Sequence, residues 1–235
     1  MTPDVRNIAQ AGIGSALSVY MRQVYMWMTA GLAITTAVAY GVAGTPALSQ
    51  TILGNSFAII MLVIAQFGLV IALSAAIHKL SAAMATGLFF LYSALTGATL
   101  SSIFLLYPIA SIGMAFMVTT GTFLAMSIYG SVTKRDLTQL GSFLFMGLIG
   151  IVIAMLVNMF FKSSMMNFIV SCLGVLIFTG LTAYDTQKLK FFGAGAPLDD
   201  QLAMRRGAIL GALTLYLDFI NMFLMFLQLF GGNRD

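Results

Sequence analysis

QVYMWMTAGLAITTAVAYGVAGTPALSQTILGNSFAIIMLVIAQFGLVIALSAAI, Gln23 to Ile77, runs without one Asp, Glu, Lys, Arg or His. A helix needs roughly 20 apolar residues to cross about 30 Å of hydrocarbon, so this run holds two crossings. The break between them falls near Pro46, because proline inside a helix removes a hydrogen bond and clashes with the preceding turn. Membrane strands are the alternative, but they take only about 9–11 residues and alternate polar with apolar. This run is too long and too evenly apolar for that, so the fold class is all-α membrane protein.

The rest of the chain divides in the same way. Leu80–Thr133 holds two spans folded at Pro108, Leu137–Phe161 and Ser163–Tyr184 hold one each, and the run from Gly207 holds one more despite Asp218. Seven transmembrane helices result, and Pro3, Pro46, Pro108 and Pro197 all fall outside them. Residues 1–20 are expected to form a partly amphipathic cytoplasmic arm without the features of a cleaved targeting peptide. Residues 21–232 form the seven-helix domain, 233–235 a C-terminal tail, and Phe191–Met204 the longest loop.

Composition agrees. Of 235 residues, 60% are apolar and 8% charged, and the mean hydropathy is +1.00; soluble domains carry about 25% charge to coat their surface. Eleven Lys and Arg against seven Asp and no Glu give a net charge of +4. That surplus sets topology and gives no nucleic-acid footprint. With the N-terminus inside, Arg6, Arg22, Lys79, Lys134, Arg135, Lys188, Lys190, Arg205 and Arg206 fall on the cytoplasmic face, and only Lys162 and Arg234 fall opposite. The C-terminus then lies on the far side of the membrane. Tyr20, Tyr25, Trp27, Tyr107 and Tyr129 stand near span ends, as interfacial aromatics do. One Cys (Cys172) and one His (His78) exclude a disulfide framework and the usual zinc sites.

Asp4, Asp136, Asp199, Asp200 and Asp235 belong to tails or loops, leaving Asp185 and Asp218 inside apolar runs. Asp218 lies about 18 Å of helix beyond Arg206, near mid-membrane. A carboxylate there costs at least about 2.5–3.5 kcal/mol and must face protein or a wet cavity. Gly207, Gly211, Thr214, Asp218 and Asn221 form a small and polar stripe at three- and four-residue steps, and Gly174, Phe178, Leu181, Thr182 and Asp185 share a face of the preceding span. If the two carboxyl groups meet in a poorly hydrated site, they cannot both ionise cheaply and share a proton. Such a pair is a proton-dependent cation site. Calcium takes six to eight oxygens, so Thr182, Thr214 and Asn221, backbone carbonyls or water must supplement the two Asp. A buried Asp can equally act as a polar tie between helices, and Asp185 can pair with Lys188.

The stretches GLTAYDTQKLK (Gly180–Lys190), LGALTLYLDFINMFL (Leu210–Leu224) and YSALTGATLSSIF (Tyr92–Phe104) resemble the Bax inhibitor, or transmembrane Bax inhibitor motif, family. The likeness extends over essentially the whole chain from about Tyr20, and is greatest to bacterial inner-membrane members. It implies six helices packed around a central C-terminal seventh, and a noncatalytic calcium leak gated by pH, with protons and calcium as its ligands and no resident cofactor. The family's paired aspartates fall on Asp185 and Asp218. A basic latch near the cytoplasmic end of the second span has His78 and Lys79 as its nearest equivalents here, since that span contains no Arg.

Two other readings compete. A noncatalytic regulator of another membrane protein, in quality control, would use the polar stripes for helix association. An intramembrane aspartyl protease would use the same two Asp, but the Gly-x-Gly-Asp pattern is absent around Asp218. A retinal protein is excluded because the last span has no Lys for a Schiff base.

Overall fold

In the computed structural model, which describes residues 5–195 and 200–231, with the side chains of residue 14 and of residues from 16 onward, the run from Gln23 to Ile77 folds as a helical hairpin. Helix α1 (Val5–Gly44) ends just before Pro46, which stands at the first turn of the short α2 (Pro46–Leu53). Asn55 then caps α3 (Ser56–Ala76) by accepting hydrogen bonds from the Phe57 and Ala58 amides. Pro108 is likewise the N-cap that separates α4 (Ala82–Leu100) and the one-turn α5 (Ser102–Leu106) from α6 (Ile109–Val132). The chain continues through α7 (Thr138–Phe161), α8 (Ser164–Gly195) and α9 (Gln201–Phe230). Seven helical segments are long and apolar enough to span a membrane, with α4 and α5 forming one of them, and no strand occurs among the described residues. The protein is an all-α membrane protein.

Pro3, Asp4, Pro197, Asp199, Arg234, Asp235 and the 233–235 tail lie outside the described residues. Two expected boundaries move. The 1–20 arm is helical from Val5 and runs unbroken into the first span, because nothing stronger than Gly12 and Gly14 interrupts it. The Phe191–Met204 loop shrinks, since α8 continues to Gly195 and α9 begins at Gln201, where Asp200 Oδ1 accepts from the Ala203 amide at 2.8 Å.

The chain divides into two units. Residues 1–105 and 189–214 form the first. Within it α1 and α4 approach closely through small residues: Gly31 faces Phe89 and Ser93, Gly97 lies against the Thr35 backbone, and Thr35 Oγ1 donates to Ser93 O at 2.9 Å. Such small-residue contacts let helix backbones pack where lipid offers no hydrophobic drive. Helix α3 presents Phe57, Ile60, Ile64, Phe67 and Ile71 outward at helical spacing, as a lipid-facing stripe must. Tyr20, expected at the interface, is instead buried against Phe192, with its hydroxyl donating to Gly207 O at 3.2 Å.

The second unit comprises residues 106–188 and 215–235. Phe116 and Phe123 of α6 pack edge-on against Phe219, and Phe116 also meets Phe223. Gly141 faces the Tyr184 ring, Gly180 faces Leu144, and Gly174 faces Met225. Helix α9 contributes to both units and is the most enclosed span, 67% buried over its most apolar window against 6% for α3.

Candidate functional site

The decisive side chains come from α8 and the second half of α9. The α9 stripe is used as its small residues suggest: Gly207 accommodates Phe192, and Gly211 accommodates Leu189 and Val24. Further along, the Asp218 and Asp185 side chains lie within hydrogen-bonding reach of each other. A hydrogen bond between two carboxyl groups requires a proton on one of them, because an ionised carboxylate can only accept. Asp218 is 5% exposed, and its Oδ2 has no partner. Lys188, one turn beyond Asp185, holds its ammonium 5.8 Å above the Tyr184 ring centroid.

The pair stands close to a loop between helices. Two residues after Asp185 stands Gln187, buried, whose amide is spent on the loop between α6 and α7. Its Oε1 accepts from the Leu137 amide at 2.9 Å, and its Nε2 donates to Arg135 O at 2.8 Å. Asp185 therefore lies within about one helical turn of that charged loop, and Asp218 sits beside it. This placement arises because α9 starts at Gln201 and α8 ends at Gly195. Sequence reasoning overlooked Gln187, although it falls in the same YDTQ stretch as Asp185.

The other anticipated residues are partly engaged elsewhere. Thr182, Thr214 and Asn221 each donate to the carbonyl four residues back, at Phe178, Leu210 and Leu217. Their oxygens keep acceptor capacity, but no hydrogen bond from them to either Asp is formed. Buried hydroxyls without a partner occur at Ser127, Thr179 and Thr186 of the same unit. Buried polar atoms are nearly always satisfied, by water where protein does not serve. His78 and Lys79 are exposed in the turn after α3; what engages there is the His78 carbonyl, which accepts from Arg206 Nη1 at 3.1 Å. Among the described residues, no three His, Cys, Asp or Glu gather into a metal-holding group, and Cys172 is a free thiol.

A second polar group, also missed, forms at the opposite end of this unit, where α7 turns into α8. Lys162 adopts a left-handed conformation (φ 51°) as the C-cap of α7. Buried Asn158 staples the turn: its Oδ1 accepts from the Ser163 amide at 2.9 Å, and its Nδ2 donates to Ser163 O at 3.2 Å and Asn167 Oδ1 at 2.6 Å. The sequence signal was the pair of Asn flanking KSS, Asn158 and Asn167.

A family model described as Inhibitor of apoptosis-promoting Bax1 matches residues 17–235. Inner membrane protein YbhL of Escherichia coli (strain K12) is 55% identical over 232 residues, covering 99% of this chain and 98% of that protein. A Borreliella burgdorferi protein named only as uncharacterized is 49% identical, covering 92% of this chain and 93% of its own length. Another, from Deinococcus radiodurans, is 44% identical over 92% of this chain and 91% of its own. With the seven apolar helices, these likenesses assign a multi-pass protein of the bacterial inner membrane. The matched segment takes in every span and both aspartates, and the chain belongs to the Bax inhibitor family.

Proposed function

We propose that this chain is a pH-sensitive calcium leak in which Asp185 and Asp218 form the ion and proton site, and that it carries out no catalytic step. The observation that supports this most is the approach of two carboxyl groups to hydrogen-bonding reach, one of them almost fully enclosed and holding an unpartnered oxygen. With a proton, the pair ties α8 to α9. Without one, two adjacent negative charges favour either separation of the helices or capture of a cation, so proton occupancy biases a two-state arrangement. The ligands are hard oxygens, which suit calcium, but two carboxyl groups supply at most about four of the six to eight it prefers. Weak, transient coordination completed by water fits a permeant ion better than a resident one. The positive charge of the loops supports a cytoplasmic N-terminus, with the aspartate pair toward that face.

The test is calcium flux into liposomes across a pH series. Asp218→Asn retains the size and a hydrogen-bonding amide but cannot ionise, so the pH dependence should flatten while the helical spectrum and thermal unfolding stay close to wild type. Asp185→Asn, at the less enclosed position, gives the same readout should the first variant fail to fold. A folded variant with a wild-type pH profile would sink the proposal.

A further inference from the structure

The turn between α7 and α8 holds two adjoining cavities of about 300 and about 400 Å³ that share Asn167 and Gln228 in their walls. The first is completed by Lys162, Asn158 and apolar side chains, the second by Tyr107, Ser164 and Ser171 among others. The chemistry they offer follows from which atoms are already spent. The Ser163 amide can only donate, which fixes Asn158 Oδ1 toward it and Asn158 Nδ2 toward Asn167. The Asn167 atom facing Nδ2 must therefore be its oxygen. Its own Nδ2, a donor, has no protein partner among the described residues and is left for whatever enters the cavity. Ser171 Oγ, whose one proton is shared between Asn167 O at 2.8 Å and Gln228 Oε1 at 2.7 Å, ties Gln228 to the same wall. Among the described residues the nearby charge is positive, from Lys162, and no carboxylate lines either cavity.

We infer that this vestibule binds a phosphate group, held by Lys162 Nζ and Asn167 Nδ2 with Gln228 on the shared wall. Donors aimed at an oxyanion beside an ammonium are the ordinary means of phosphate capture. The surroundings favour a phospholipid as its carrier. The turn lies at the end of one span, where headgroups lie, and Phe160, Phe161, Met165 and Phe168 around it are exposed and apolar. A lipid could seat its phosphate in the polar vestibule while its chains run along these side chains. The site is separated from the aspartate pair by most of a membrane crossing, because α7 joins the Arg135 loop to Lys162. Its fate is therefore independent of the calcium proposal.

Phosphatidylglycerol binding to the detergent-purified full chain, followed by native mass spectrometry, tests this. One lipid should be retained at detergent concentrations that strip the rest, and diacylglycerol, which lacks the phosphate, should not be. Asn167→Asp keeps the acceptor for Asn158 while replacing the donor by a negative oxygen, and should weaken retention at least tenfold. Lys162→Gln, at an exposed position, should do so as well and covers the case in which the first variant does not fold. Millimolar inorganic phosphate distinguishes the sources: displacement of the lipid means the site takes phosphate in either form, and no displacement means it requires the lipid. Unchanged retention in folded Lys162→Gln, or in both variants, overturns the inference.

Discussion

The two ends of the second unit use the same kinds of polar side chain to opposite effect. At one end, Gln187 uses its amide oxygen and nitrogen on the backbone of the α6–α7 loop, while the neighbouring Asp185 and Asp218 turn to each other. At the other, Asn167 spends only its oxygen, and a donor remains beside Lys162. Between them the helices pack Phe116, Phe123, Phe219 and Phe223 against one another. The character of each end is thus set less by residue type than by which lone pairs and protons local backbone groups have already consumed.

The largest effect should come from the closed end, where α6 meets α8. A Cβ at position 130 would run into the Ala183 carbonyl, which is backbone and cannot rotate away. Gly130→Val should therefore force the helices apart, with a loss of about 1–3 kcal/mol or more, as overpacking costs. Gly121→Ala, on the same helix with nothing within 4 Å of its added carbon, should raise the unfolding temperature slightly, since alanine is the better helix former by about 1 kcal/mol. Parallel melts of the two variants would break the comparison if they moved together.

A smaller contrast separates the two glutamines. Gln187→Met preserves length but leaves the Leu137 amide and the Arg135 carbonyl without their partners. Burial of such groups costs about 1–3 kcal/mol, and chemical denaturation in detergent should register it. Gln228→Met, at an exposed site where the side chain accepts a hydrogen bond from Ser171, should stay within about 0.5 kcal/mol of wild type. Equal losses would mean that the open end is as tightly determined as the closed one.

These contrasts also mark what could be foreseen. The seven crossings and the turns at Pro46 and Pro108 were legible because charge-free length and proline sterics are properties of the chain read in one dimension. Asp185 and Asp218 stood out because ionisable groups in apolar runs are costly enough to need a reason. That their side chains meet was not legible: it depends on the offset between α8 and α9, set by an Asp200 cap and by α8 continuing four residues past Phe191. Nor was the burial of Tyr20, because an aromatic with a polar tip suits an interface and a wet-ended core contact alike. Gln187, Asn158 and Asn167 carry no charge and follow no period, so only their partners, far away in sequence for Gln187, reveal their roles.

The smallest effect concerns the loop that Gln187 holds. Asp136 is a fully exposed carboxylate whose Oδ1 accepts from the Thr138 amide at 2.9 Å, and bonds from the Thr138 side chain and amide hold its carboxyl below the ordinary range. A lowered pKa in the folded protein contributes stability that is present above the ordinary value and is lost as pH falls through the lowered one, so the window lies below about pH 4. Because the group is in water, the effect is local, at the first turn of α7. Hydrogen exchange at the Thr138 amide should be faster in Asp136→Ala than in wild type at neutral pH. The two should converge as acid protonates Asp136, because a neutral carboxyl is the weaker acceptor. A difference that persisted undiminished well below pH 4 would show that the loop is ordered by Gln187 alone and that the exposed acid at this end takes no part in holding it.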